Sequence, residues 1–179
     1  MSSPERKVEL HPVGTEDREE FVAATRASLD LHRPWISPPT SAAAFDALLK
    51  RRRGDDTDLT IVRRSSDGAL AGYFDLTQII RGPLQGAFLG YGAVADLAGQ
   101  GYMSAGMQLL LRRAFRELLL HRVEANVQPA NLASAALVRR AGFVREGFSE
   151  RYLKIGGRWR DHERWAIRAE QWQPPSRRR

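Results

Sequence analysis

The sequence predicts one α/β domain built around a mixed β-sheet. Three observations carry this. Segments of strand character alternate with segments of helical periodicity along most of the chain. The last of them form a hairpin pattern around Gly156-Gly157. The 179 residues show no internal repeat and no linker, and that length suits one substantial core.

The elements follow in order. Residues 9–13 read as a short strand. Thr15 caps a helix over 16–29, with Glu16, Asp17, Glu19 and Glu20 in its first turns, where the helix dipole favours acids. The run Arg33-Pro34-Trp35-Ile36-Ser37-Pro38-Pro39 ends it. Ser41 opens a helix to about residue 50. Strands are predicted over 59–63, 70–80 and 87–94, separated by turns at Ser65-Ser66-Asp67-Gly68 and Gly82-Pro83. A loop over 95–100 leads into a strong helix whose apolar face is Met103, Met107, Leu110, Leu111, Ala114 and Leu118. Residues 122–128 read as a strand. Asn131 starts a short helix that stops at Gly142, a residue suited to the left-handed position after a helix. Residues 143–155 and 158–169 form the hairpin. The domain is expected over 1–172, with 173–179 as a basic tail.

Composition narrows the chemistry. With no cysteine, the chain has no disulfide, no thiolate metal site and no cysteine nucleophile. His11, His32, His121 and His162 lack metal-ligand spacing, so no metal is expected. No apolar run reaches the ~18 residues of a membrane span, and the charged start does not look like a signal peptide. A cytoplasmic protein without membrane contact is the expectation. Lys and Arg outnumber Asp and Glu 28 to 21, a formal charge of +7 that attracts anionic partners. Arg51-Arg52-Arg53 and Arg177-Arg178-Arg179 read first as a solvated loop and a solvated tail. Their alternative is phosphate or RNA contact, which would bring the chain near a ribosome.

One segment carries the strongest signal. From Tyr91 to Ser104 a strand ends, a loop with Gly99 and Gly101 turns, and an amphipathic helix begins. The start of a helix offers unpaired N–H groups and the positive end of its dipole. Glycines let those amides approach an anion closely. The physics alone describes a pyrophosphate or carboxylate site.

Ala98-Gly99-Gln100-Gly101-Tyr102-Met103 resembles the acetyl-CoA motif of the GNAT superfamily of N-acetyltransferases, Q/R-x-x-G-x-G/A. Ala98 and Met103 depart from it, and Gly-Gln-Gly followed by Tyr-Met is similar to the branch that acetylates ribosomal proteins. Asn131-Leu132-Ala133-Ser134 and Gly142-Phe143 resemble the next family helix and its exit. The hairpin from Tyr152 to His162 resembles the Y-L-x-x-G-x-W-R-D-H segment of ribosomal-protein-alanine N-acetyltransferases. Pro34-Trp35, Ile79-Ile80-Arg81-Gly82 and Phe88-Leu89-Gly90-Tyr91 look like that subfamily as well. The resemblance spans roughly residues 8–172.

The resemblance implies a sheet splayed at the cofactor site, with helices on both faces. Acetyl-CoA would enter between the strand ending near Val94 and the one starting near Arg122. Backbone amides of Tyr91, Gly92, Ala93 and Val94 would pair with the pantetheine arm. Those of Gly99, Gln100, Gly101, Tyr102, Met103 and Ser104 would hold the pyrophosphate, and Asn131 would reach the arm. Where many relatives carry a tyrosine acid, this chain has Val138, so Ser134 is expected to assist the leaving thiolate. Glu150, His162, Asp161 and Asp75 are the candidate bases. Trp35, Asp75, Arg81, Tyr152 and Asp161 are expected on the acceptor side. An α-amine, with a reference pKa of ~7.7–8.0 against ~10.4 for lysine, needs little base. That agrees with the acceptor the resemblance implies, a protein N-terminus, foremost that of a ribosomal protein. A small amine is the alternative acceptor, and a non-catalytic ribosome- or RNA-binding module that keeps the pocket is the alternative of another class. The chain is expected to be a monomer or homodimer.

Overall fold

The computed structural model describes residues 7–174. The run Arg177-Arg178-Arg179 lies outside the described residues. The strands are β1 (Val8–Pro12), β2 (Asp58–Arg64), β3 (Leu70–Ile80), β4 (Gly86–Ala93), β5 (Arg122–Val127), β6 (Val144–Ile155) and β7 (Arg158–Arg168). The helices are α1 (Arg18–Ala27), α2 (Leu29–His32), α3 (Ala42–Arg51), α4 (Tyr102–Arg112) and α5 (Leu132–Ala141). The strands form one mixed sheet of seven in the order β1-β2-β3-β4-β5-β7-β6. Every neighbouring pair is antiparallel except β4 and β5.

Apolar alternation along the strands builds a core on each face. On one, Phe74, Leu76, Leu89, Val123, Ala125 and Ile167 pack with Met107, Leu110 and Leu111 of α4 and Val138 of α5. Burial of each large side chain contributes roughly 1.5–3 kcal/mol. On the other face, Ile61 and Leu70 pack with Phe21 and Val22 of α1 and Phe45 of α3, with Tyr73 against this cluster.

The parallel join between β4 and β5 is short. Only Gly86–Arg122, Ala87–Val123 and Phe88–Glu124 pair. Beyond them, residues 89–93 of β4 and 125–127 of β5 part, while β3 and β7 keep pairing with their outer edges. The sheet therefore splays at the predicted point.

Two helices differ from expectation. The predicted helix over 16–29 divides into a 3-10 turn (Thr15–Asp17), α1 and α2. Its start is fixed by the Asp17 carboxylate, which accepts the Gly14 N–H at 2.8 Å, so Thr15 lies inside the turn rather than capping it. Its break falls at Ser28, whose hydroxyl donates to Ala24 O and accepts from the Ala95 N–H. The helix of α4 ends early in a π-helical turn (Arg113–Glu117), where Leu118 N–H donates to Arg113 O. Other termini follow the predicted capping: Ser41 accepts from Ala44 N–H, Asn131 accepts from Ser134 N–H, and Gly142 takes φ 98° after α5.

Candidate active site

The splay opens into a cavity of about 700 Å³. It is walled by β4, the start of α4, β5, α5 and the loop around Trp35 and Ile36. Two edges supply its backbone groups. Val94 N–H donates to Ala71 O across to β3. Strand alternation then turns the N–H and C=O of Leu89, Tyr91 and Ala93 the other way, toward the gap. Gly92 and Val94 belong to the set facing β3, and Val94 does not line the cavity. The amides available to a ligand are thus alternate ones rather than the whole run from 91 to 94.

The other edge is the entry to α4. Gly99 and Gly101 adopt φ of 73° and 89°, the left-handed region that a side chain penalises. They bend the loop so that the first turn of α4, with Met103 and Ser104, opens onto the cavity without a capping side chain. The N–H groups of that turn have no intrahelical acceptors. Ala98 of this loop and Arg140 of α5 line the same cavity. Gln100 and Tyr102 do not line it. The Gln100 amide donates to Asp96 O and braces the loop, while Tyr102 carries the Arg64 guanidinium over its ring.

Tyr91 and Ser134 line the same cavity. They place their oxygens 2.5 Å apart, joining β4 to α5. Burial pushes the Tyr91 phenol up to about 12, and its bond to Ser134 offsets only part of this. The phenol stays protonated and can donate to the Ser134 oxygen, which leaves the serine O–H to turn toward the cavity. Val138, where a tyrosine acid stands in many relatives, is fully buried in the core.

Two buried histidines also line the cavity. His162 of β7 is 3% exposed, and its Nδ1 lies 3.0 Å from Arg160 O. A carbonyl only accepts, so Nδ1 carries the proton and Nε2 keeps the lone pair. Burial lowers its pKa below the ordinary histidine value, against smaller opposing effects of Arg160 O and Asp161. Near neutral pH the imidazole is a neutral base. His32 of α2 donates its Nε2 proton to Ala93 O at 2.8 Å, and burial likewise lowers its pKa. Gln128 follows β5 and donates to Trp35 O, which ties the Trp35 loop to the cavity wall.

The predicted residues separate in space. Ser134, His162, Asn131, Trp35, Tyr91, Gly92, Ala93, Gly99, Gly101, Met103 and Ser104 line one cavity. Tyr152 sets its ring edge-on to His162 at 6.1 Å between centroids. The others lie elsewhere. Glu150 is exposed on β6. Asp161 accepts the Arg151 N–H. Asp75 is bound by Arg52 through three hydrogen bonds of 2.8–3.1 Å. Arg81 reaches Leu118 O. His32, Asn126, Gln128 and Arg140 were missed. The polar alternation Glu124, Asn126, Gln128 along β5 and just past its end is the one signal that could have found two of them. No cluster able to hold a metal ion exists among the described residues.

Known proteins bear on this site. A family model described as an acetyltransferase (GNAT) domain matches residues 7–144. The chain is 46% identical over 103 residues to a probable N-acetyltransferase, YjcK, of Bacillus subtilis, covering 58% of this chain and 57% of that protein. It is 33% identical over 105 residues to the [ribosomal protein uS5]-alanine N-acetyltransferase of Escherichia coli, covering 59% and 54%. The matches thus span little more than half the length of these relatives. Among solved structures, Mycobacterium smegmatis RimJ in complex with CoA-disulfide superposes with a TM-score of 0.83 at 28% identity, over 91% of this chain and 82% of that one. Spermidine N-acetyltransferase from Vibrio cholerae, in complex with CoA and spermine, shares the fold at a TM-score of 0.78 and 19% identity, over 92% and 96%. Splayed strands, a glycine-bent entry to α4 and the match over residues 7–144 agree: the chain belongs to the GNAT acetyltransferase family.

Proposed function

We propose that the chain transfers an acetyl group from acetyl-CoA to the N-terminal α-amine of a peptide or protein, a ribosomal protein foremost. The cavity suits the cosubstrate. Its gap presents strand-edge amides, the entry to α4 presents helix amides, Arg140 lines it as well, and the Asn126 Oδ1 on its wall is buried without a partner. Bound acetyl-CoA supplies an electrophilic thioester carbonyl and a thiolate leaving group. The protein supplies the rest. His162 Nε2 accepts the proton that the amine loses on forming its amide bond. Backbone N–H groups of Tyr91 and Ala93 point where negative charge develops on the carbonyl oxygen. Ser134 donates a hydrogen bond to the departing sulfur. The cavity holds the two reactants together, which removes the entropy of encounter from the chemical step.

One observation carries the choice of acceptor. Among the described residues no carboxylate lines the cavity, whose titratable side chains are His32, His162, Arg140 and Tyr91. Nearby carboxylates are held: Asp75 by Arg52, and Glu124 and Glu146 by Arg122. A polyamine carries several positive charges and calls for free carboxylates. An α-amine is substantially neutral near pH 8 and calls only for a modest base such as His162. The relation to uS5-alanine acetyltransferase supports the same acceptor class. Mass spectrometry of protein N-termini from cells with and without the chain tests this. Acetylated N-termini that vanish with the chain support it. Unchanged N-termini alongside a changed pool of acetylated polyamine would overturn it.

A further inference from the structure

The face of β7 that carries His162 also carries two arginines. Trp165 and Ile167 are buried in the core, so alternation puts Arg160, His162 and Arg164 on the opposite face. Each arginine lies two residues from the histidine, about 7 Å along the strand. Among the described residues neither has a carboxylate bonded to it, although the chain pairs many of its other arginines. The Arg160 Nε is buried and has no hydrogen-bond partner. Arg164 lies across β6 at Gly147, where a β-carbon would stand 2.5 Å from its Nη2. Glu146, which feels the Arg164 charge, is already bound by Arg122. Asp161, between the arginines in sequence, projects to the other face and accepts the Arg151 N–H.

We infer that Arg160 and Arg164 select acceptors with an anionic side chain at the second or third residue of the peptide. This rests on the N-terminal acceptor proposed above. With its α-amine at His162, an extended peptide advances ~3.3–3.6 Å per residue. Whichever way it runs along β7, its second or third side chain comes level with a guanidinium. An aspartate or glutamate there pairs with the exposed Arg164 or bonds the Arg160 Nε that the fold leaves without a partner. A lysine there meets like charge.

The test uses the full chain and three peptides of equal length with free N-termini, Ala-Asp-Asp, Ala-Ser-Ser and Ala-Lys-Lys followed by the same neutral residues. We expect kcat/KM about tenfold higher for the aspartate than for the lysine peptide, with the gap narrowing as salt rises. In Arg160→Gln/Arg164→Gln the preference should vanish, and in Arg160→Glu/Arg164→Glu it should invert. Turnover of the serine peptide with no preference for aspartate in the wild type overturns the inference while leaving the acceptor class intact. A preference that survives in the glutamine variant also overturns it. Turnover of none of the peptides overturns the acceptor class, and this inference with it.

Discussion

Removing the Ser134 hydroxyl should separate catalysis from stability in a way that the Tyr91–Ser134 pair dictates. The 2.5 Å contact couples the two hydroxyls, and with the phenol as donor the serine O–H is left for the cavity. In Ser134→Ala the departing thiolate loses a donor. Hydrogen bonds to charged groups contribute roughly 1.5–3 kcal/mol, so kcat should fall about ten- to a hundredfold. The acetyl-CoA KM should change much less. The same change orphans the buried Tyr91 hydroxyl, which costs about 1–3 kcal/mol of folding stability. For a chain of this length that is a drop in Tm of roughly 3–10 °C. In Tyr91→Phe the half-buried serine turns more freely, so kcat should fall several-fold with little change in Tm. The double variant removes both partners. Its Tm should recover most of the loss, while kcat stays as low as in Ser134→Ala. Steady-state thiol release and thermal unfolding on the four proteins measure all of this. A wild-type kcat in Ser134→Ala would refute the leaving-group role, as would a loss that appears only in the acetyl-CoA KM.

His162→Gln should lower kcat/KM about 10²-fold or more. The wild-type profile should show an acid limb below the ordinary histidine pKa, because burial lowers that of His162, and the limb should disappear in the variant. Gly101→Asp places a carboxylate at the mouth of α4, at φ 89°, and should abolish acetyl-CoA binding by calorimetry while circular dichroism stays native. Asp75→Asn leaves the Arg52 guanidinium without its charged partner, and should lower Tm without changing the peptide KM. The depressed pKa values of His32 and His162 mean that the unfolded chain binds more protons than the folded one below pH 6.5. Their stability is therefore complete above 6.5 and is lost as pH falls toward their folded pKa values. Chemical unfolding midpoints should decline over that range, and less steeply in His32→Asn.

Much of this was legible because it is local. Period-two and helical patterns fix β2, β3, β4 and α4 to within a residue or two at their starts. Asn131 and Gly142 mark α5 through capping chemistry that needs only near neighbours. The left-handed turns at Gly99 and Gly101 are announced by residue type. What escaped depends on through-space partners. The helix predicted over 16–29 breaks because Ser28 meets Ala95, far along the chain. Asp75 looked available for an acceptor, but Arg52 of α3 folds over and binds it. The strand edge at 91–94 offers only alternate amides, which becomes visible once Val94 is seen paired with Ala71. His32 had no motif around it, and only the packing of α2 against Ala93 brings it to the cavity.

Acceptor choice can be read from a single competition, in which one peptide with a free N-terminal alanine and an internal lysine is mixed with equimolar spermidine and acetyl-CoA near pH 7. Tandem mass spectrometry of the products locates the acetyl group. It should lie on the alanine nitrogen, with lysine and spermidine left unmodified over the same turnovers. Acetyl on spermidine or on the lysine ε-nitrogen, with the alanine amine free, would contradict it.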